Sequence, residues 1–392
     1  MRDEIQYVGG TGPDAIRGAA ALIVAVAHCW QIFIYPLTGD TLPFRILGSL
    51  AAWSVATFFL LSGMLIATSI NRRAATGDFQ FRSYIAARVL RIYPPLLTAV
   101  AITIGAVLII QAFRLYGAEG YQLPGDVAAA RERADIWWPD ILSTLLLTYN
   151  FLPPSLFPAW LPINSYLFFN GPLWSLSYEF WMYVLAGVAA AAVISRKWIA
   201  APIAILLIWR ILIAPPGTTQ FWVVAAVWLA GFAAGWAWPL IERISSRWIL
   251  VGAAAFLVAS LTIAGTDWAA FAVSPYGGTA QNCFYLGASG LLLCATIVSV
   301  RMRRGSPAGL FARAGAFSYT LYLVHFPLML LALSIFRPMI LQLGMIGHVA
   351  LAIASFCAVV VISERLARVV ENRRMLRSIV RNILGHRSRA SA

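Results

Sequence analysis

The sequence predicts an all-α, polytopic integral membrane protein with about ten transmembrane helices. Three observations carry that expectation. Hydrophobic residues make up 61% of the 392-residue chain and charged residues only 11%, against ~45–50% and ~25% in soluble domains. Mean hydropathy is +0.79. The apolar residues also gather in continuous runs near the ~20-residue length that crosses a bilayer, rather than at alternating positions. Soluble-enzyme, fibrous and disordered readings are excluded.

The runs cover approximately 15–36, 46–70, 92–113, 172–194, 198–214, 221–240, 248–264, 283–300, 314–336 and 343–364. Residues 1–14 lack the basic-then-apolar layout of a cleaved leader, so the first run reads as a retained signal anchor. No connection is long enough for a separate soluble catalytic domain. The longest, 114–171, holds six prolines, and its Trp137, Trp138 and Trp160 fit an interfacial aromatic belt or a stacking surface for sugars. The expected division is a membrane domain over 1–372 and a basic cytoplasmic tail over 373–392.

The net charge of +14 raises the question of nucleic acid, and its placement answers it. With a cytoplasmic N-terminus and alternating loops, the cytoplasmic side takes all the basic residues but Arg45, Arg114, Arg131, Arg133, Arg210 and Arg337. The positive-inside rule then sets both termini in the cytoplasm. The basicity is topological, the expected surface partner is membrane lipid, and no nucleic-acid partner is expected. Cys29, Cys283, Cys294 and Cys357 show neither disulfide-framework nor metal-ligand spacing, so no metal is expected. No internal repeat or low-complexity tract stands out.

Ionisable groups inside spans are expensive and mark function by default. Here they are His28, Glu179, Arg210 and His325, with Arg17 and Glu364 at span ends. Arg17 and His28 are eleven positions apart, which is three turns plus ~20° and ~16 Å of rise, so both lie on one helix face. With Arg17 at the interface, His28 falls near the middle of a ~30 Å core. In the ninth run Ser318, Tyr322 and His325 fall at i, i+4 and i+7, a single polar stripe. Pro327 follows and frees the carbonyl of Leu323. Glu179 stands about two turns into the fourth run. Three titratable groups on three helices thus converge on one depth, as a buried reactive or binding site requires. Their other reading is bonding between neighbouring helices. Arg88 and Arg91, at i and i+3 before the third run, suit bidentate phosphate binding, or stop-transfer charge against anionic headgroups.

Several strings resemble acyltransferase family 3, the bacterial integral-membrane O-acyltransferases. Arg17 and His28, ten residues between them, are similar to that family's opening motif, and Phe58-Phe59-Leu60-Leu61-Ser62-Gly63 to its second-span signature. Arg88-Val89-Leu90-Arg91-Ile92-Tyr93-Pro94 resembles its Arg-x-x-Arg element, associated with the acyl-CoA site. Leu173-Trp174-Ser175-Leu176-Ser177-Tyr178-Glu179, with Tyr183 beyond, resembles its fourth-span carboxylate motif. Ser318-Tyr319-Thr320-Leu321-Tyr322-Leu323-Val324-His325-Phe326-Pro327 resembles its late Ser-Tyr…His-x-Pro motif. Where members often close with Glu-x-Pro, Glu371 is followed here by Asn372 and Arg373. Many members append an extracytoplasmic hydrolase-like domain; the expectation here is the membrane domain alone.

The resemblance implies a multi-pass enzyme of the bacterial inner membrane. It would take an acyl group, usually acetyl, from cytoplasmic acyl-CoA and pass it to a hydroxyl on an exported or lipid-linked glycan. It implies catalytic roles for His28, Glu179 and His325, and donor or substrate contacts from Arg17, Arg88, Arg91, Trp174, Ser318 and Tyr322. His28 would be the general base, or the carrier of an acyl-His relay. A flippase or exporter of a lipid-linked sugar would use the same groups to bind substrate or protons. A family member acylating a small-molecule natural product would look the same at these motifs. Oligomeric state is not legible.

Overall fold

The computed structural model of the chain describes residues 11–75, 79–121, 134–149, 169–212, 219–241, 243–264, 309–372, 375, 376 and 378. Ten principal helices run through them. They are α1 (Thr11–Cys29), α2 (Leu42–Ala75), α3 (Phe81–Ala112), α4 (Trp138–Leu146), α5 (Trp174–Val193), α6 (Ala200–Leu212), α7 (Thr219–Trp236), α8 (Ser246–Ala264), α9 (Gly309–Gly315) and α10 (Ser318–Val370). No strand occurs among the described residues. Five helical segments are long and apolar enough to cross a membrane: Gly12–Thr38, Leu42–Ala75, Phe81–Ala112, Gly171–Val193 and Ser318–Val370. The protein is an all-α membrane protein, as the composition requires. The ten-span count is carried only in part. Runs 198–214, 221–240 and 248–264 are the helices α6, α7 and α8, while 283–300, Trp160 and the tail from 379 lie outside the described residues. So does the side chain of Arg210.

α10 contains two of the expected runs. Its 53 residues would reach ~80 Å if straight, far beyond a ~30 Å hydrocarbon core. Gly344 breaks it at φ 58° and ψ −141°, backbone that favours glycine. The second half returns along the first, so that Glu371 accepts bonds from the Thr320 backbone N–H at 3.0 Å and the Thr320 hydroxyl at 2.5 Å. A carboxylate there satisfies one of the N–H groups left open by the first turn of α10 and suits the positive end of its dipole.

α1 does not end cleanly. It passes into a π-helical turn, Trp30–Ile34, and one more helical turn, Tyr35–Thr38. Pro36 has no N–H to give the carbonyl four residues back, and the chain widens at this point. Tyr35 N–H bonds the Trp30 carbonyl, the five-residue spacing of a π turn.

α2 and α7 approach closely because their contact is made of glycines. A Cβ on Gly63 would stand 2.2 Å from the Trp228 carbonyl oxygen, and one on Gly231 2.1 Å from that of Leu60. Gly231 and Gly235 are four residues apart, the small-xxx-small spacing that brings membrane helices together. Gly63, the last residue of the second-span string, therefore has a packing role. One apolar core joins α2, α3, α5 and α7; a second joins α1, the segment around Tyr121 and Phe169, and α10.

The helix ends alternate so that basic residues collect at one end of the bundle. Ser195 after α5 bonds the Phe79 carbonyl before α3, Asn71 near the end of α2 bonds the Trp236 carbonyl, and Arg313 of α9 bridges Glu364 at 2.9 Å. Arg72, Arg73, Arg82, Arg196, Lys197, Arg243, Arg313 and Arg368 all belong to these ends.

At the opposite side of the core, Asn170 satisfies the carbonyl that Pro327 leaves open. Its side-chain amide donates to Leu323 O at 2.9 Å and to Thr103 Oγ1 at 3.1 Å, with the residue fully buried. Asn170→Ala should therefore cost about 1–3 kcal/mol, the cost of an unmet buried polar group. In a Pro327→Ala background residue 327 supplies its own N–H to Leu323, so the same substitution should cost less. Thermal unfolding in detergent of the four proteins checks this; equal costs in both backgrounds would contradict it.

Candidate functional site

Two imidazoles from helices 297 residues apart in sequence meet in the core. His28 Nδ1 lies 2.8 Å from His325 Nε2, the rings stack with centroids 5.0 Å apart at 22°, and Phe326 packs edge-on against His28. His325 is fully buried and His28 partly so. The hydrogen bonds fix the tautomers of the neutral pair. His325 Nδ1 stands 2.9 Å from the Leu321 carbonyl, which can only accept, so Nδ1 carries the proton and Nε2 a lone pair. That lone pair takes the proton on His28 Nδ1. His28 Nε2 is left with a lone pair, as a base or a nucleophile requires.

On the far side of Tyr322 from this pair is a cavity of about 40 Å³, which neither histidine lines; it has room for about three waters. Its polar wall comprises Arg17, Arg91, Glu179, Ser62, Ser175 and Ser318; Phe58, Tyr319 and Tyr322 close it with apolar neighbours. Tyr322 joins the two features. It lines the cavity, bonds Ser175 Oγ at 2.9 Å, and holds its ring 6.2 Å from His325 and 5.6 Å from Phe58. Ser318, one residue past the α10 N-cap, bonds Gly315 O at 2.9 Å. The stripe Ser318, Tyr322 and His325 is thus one buried face of α10, as its spacing predicts.

Glu179 reaches the cavity but not the histidines. It accepts the Tyr183 hydroxyl one turn along α5, and Tyr183 also takes the Ser62 hydroxyl proton at 2.9 Å. The imidazole pair is oriented by its own bonds. Arg17 and Arg91 bring positive charge to the same wall. Asp14 stands 3.7 Å from Arg17, and Glu179 and Glu371 are the carboxylates whose charges act on Arg91. Arg88, one turn before Arg91, takes another direction. It donates to Ser69 Oγ at 2.9 Å and lies over the rings of Tyr84 and Tyr183 at 5.4 and 5.8 Å, its Nε buried without a partner among the described residues. Trp174 packs edge-on against Tyr178, away from the cavity wall.

The structure adds residues that site reasoning from sequence did not choose. Tyr183 lies four positions after Glu179, a helical spacing that could have flagged it. Ser62, Ser175 and Tyr319 lie within the quoted strings. Asn170 acts through contacts distant in sequence and carries no local signal, whereas Glu371 stands in the closing string and His348 is an ionisable group inside the run 343–364, which is the signal that could have found it.

A family model described as an acyltransferase domain matches residues 11–365. Acyltransferase MdmB of Streptomyces mycarofaciens is 28% identical over 339 residues, covering 79% of this chain and 76% of the relative. No solved structure matches the chain.

The tautomer assignment can be checked directly, because the chain has only four histidines. In protein labelled with 15N-histidine, NMR should find His28 protonated at Nδ1 and bare at Nε2, with a coupling across the bond to His325 Nε2. His325→Leu should remove that coupling and free His28 to exchange tautomers. A wild-type His28 protonated at Nε2 would contradict the arrangement.

Proposed function

The chain belongs to acyltransferase family 3, and on that premise we propose that it moves an acyl group, acetyl foremost, from cytoplasmic acyl-CoA to a hydroxyl of an exported or lipid-linked glycan. The observation that carries this reading is the bond of His28 Nδ1 to His325 Nε2, which leaves His28 Nε2 to act, one aromatic residue away from a cavity with two arginines. Arg17 and Arg91, on one cavity wall, suit the phosphates of the donor. The thioester arm would reach His28 past Tyr322 and Phe58.

In the chemical step His28 Nε2 takes the acceptor hydroxyl proton as its oxygen attacks the thioester carbonyl. The C–O bond forms, the C–S bond breaks, and the departing thiolate receives the proton from the imidazolium. While His28 is protonated, its Nδ1–H bond to His325 becomes charge-assisted, roughly twice as strong as the neutral one. His325 thus favours the charged intermediate state, although a neutral imidazole does so less than a carboxylate would. Glu179, held by Tyr183, faces the cavity and suits a contact to acceptor hydroxyls. The same reading sets the basic end of the bundle, both termini included, in the cytoplasm of the bacterial inner membrane.

The test is transfer of labelled acetyl from acetyl-CoA by purified protein in lipid nanodiscs, with glycan acceptor extracted from the host envelope. His28→Ala should lower turnover ~10²–10⁴-fold while donor binding persists. Arg91→Ala should weaken acyl-CoA binding roughly ten- to a hundred-fold, the loss of one charge-assisted phosphate contact. Arg88→Ala should weaken it less, since that side chain is turned toward Ser69. Glu179→Gln should give a smaller loss that depends on the acceptor. A carrier of lipid-linked sugar would neither hydrolyse nor transfer the label, and full turnover in His28→Ala would remove the base from this account.

A further inference from the structure

We propose that His348 is a positioning residue for His28: it anchors the π-helical turn that follows the base and so fixes the angle at which His28 meets His325. The inference rests on the reading of His28 as the base. His348 is 1% exposed, and its Nδ1 lies 2.7 Å from the carbonyl of Phe33, inside the π turn Trp30–Ile34. A carbonyl only accepts, so Nδ1 donates. The opposite nitrogen, Nε2, is buried with no partner among the described residues. The bond to Phe33 is therefore the polar contact the ring makes here.

That bond acts at a sensitive place. A π turn holds one more residue than an α turn, so its relaxation to α geometry would turn the helix on one side of it by ~100° relative to the other. His28 stands two residues before the π turn begins. A second bond runs the opposite way between the same helices, from the Cys29 thiol to the Ala352 carbonyl at 3.2 Å, one helical turn beyond His348. Together they clamp both sides of the junction to the second half of α10. The first half of α10 carries His325. One arm of the hairpin supplies the partner imidazole, and the other holds α1 so that His28 can reach it.

Two isosteres separate this from general support of the core. Asn places its amide N–H₂ near the position of Nδ1, whereas Gln places it near Nε2. In full-length protein in nanodiscs, His348→Asn should keep kcat for acetyl transfer within a few-fold of wild type. His348→Gln should lower kcat about ten- to a hundred-fold, the scale of a misplaced catalytic group. KM for acetyl-CoA should move less than kcat in both, because Arg91 stands on α3, away from the π turn. The 15N coupling between His28 and His325 should persist in His348→Asn and vanish in His348→Gln. Equal kcat in the two variants, a loss confined to KM, or an intact coupling in His348→Gln would each overturn the proposal. If wild-type protein showed the coupling but no transfer from acetyl-CoA, the assigned reaction would fall, and the coupling would still decide the role of His348.

Discussion

Inside a bilayer a polar group must find its partner within the protein, and that constraint arranges the centre of this bundle. The carbonyl freed by Pro327 is met by Asn170, and Glu371 meets the open first turn of α10. The Leu321 carbonyl takes the proton of His325 Nδ1, which leaves His325 Nε2 to accept from His28. The bond to Leu321 dictates the one between the two histidines. The relay ends on a nitrogen with a lone pair and no donor among the described residues, His28 Nε2, and an unspent acceptor at that depth is where chemistry can occur.

The charged and the titratable parts of the site are kept apart. Arg17, Arg91 and Glu179 share the cavity wall, while the imidazoles pair with each other behind Tyr322. This separation suits a reaction in which a polyanionic donor is held at one place and its acyl carbon reacts at another. A guanidinium beside the imidazole pair would also disfavour protonation of the base by like-charge repulsion. The hairpin of α10 keeps the two parts in register, because Glu371 fixes its start beside Arg91 and Tyr319 while His325 and His348 stand on its two arms.

Much of this was legible in the sequence because helical periodicity is local. The rise and rotation between Arg17 and His28, and the spacing of Ser318, Tyr322 and His325, place the residues on their faces without tertiary knowledge. Shared depth was enough to bring His28 and His325 together, but not to show that they bond to each other while Glu179 turns to Tyr183. The i, i+3 spacing of Arg88 and Arg91 still separates their directions by ~60°, and that angle sends Arg91 to the cavity and Arg88 to Ser69. The partners of Asn170, Glu371 and His348 were illegible for a different reason. Each partners a backbone group more than fifty residues away, and no local pattern encodes such a contact. The π turn after Cys29 had one sequence cue, Pro36, which reads equally well as a helix end.

The position of a bound donor decides whether His28 acts on the acyl group. A structure with a non-hydrolysable thioether analogue of acetyl-CoA should place its phosphates against Arg17 and Arg91. Its acyl carbon should lie close enough to His28 Nε2 for an acceptor oxygen to bridge them, with reacting atoms about 3–3.5 Å apart, and the His28–His325 bond intact. Phosphates bound away from both arginines, or an acyl carbon seated against Glu179 with the imidazole pair out of reach, would contradict the account.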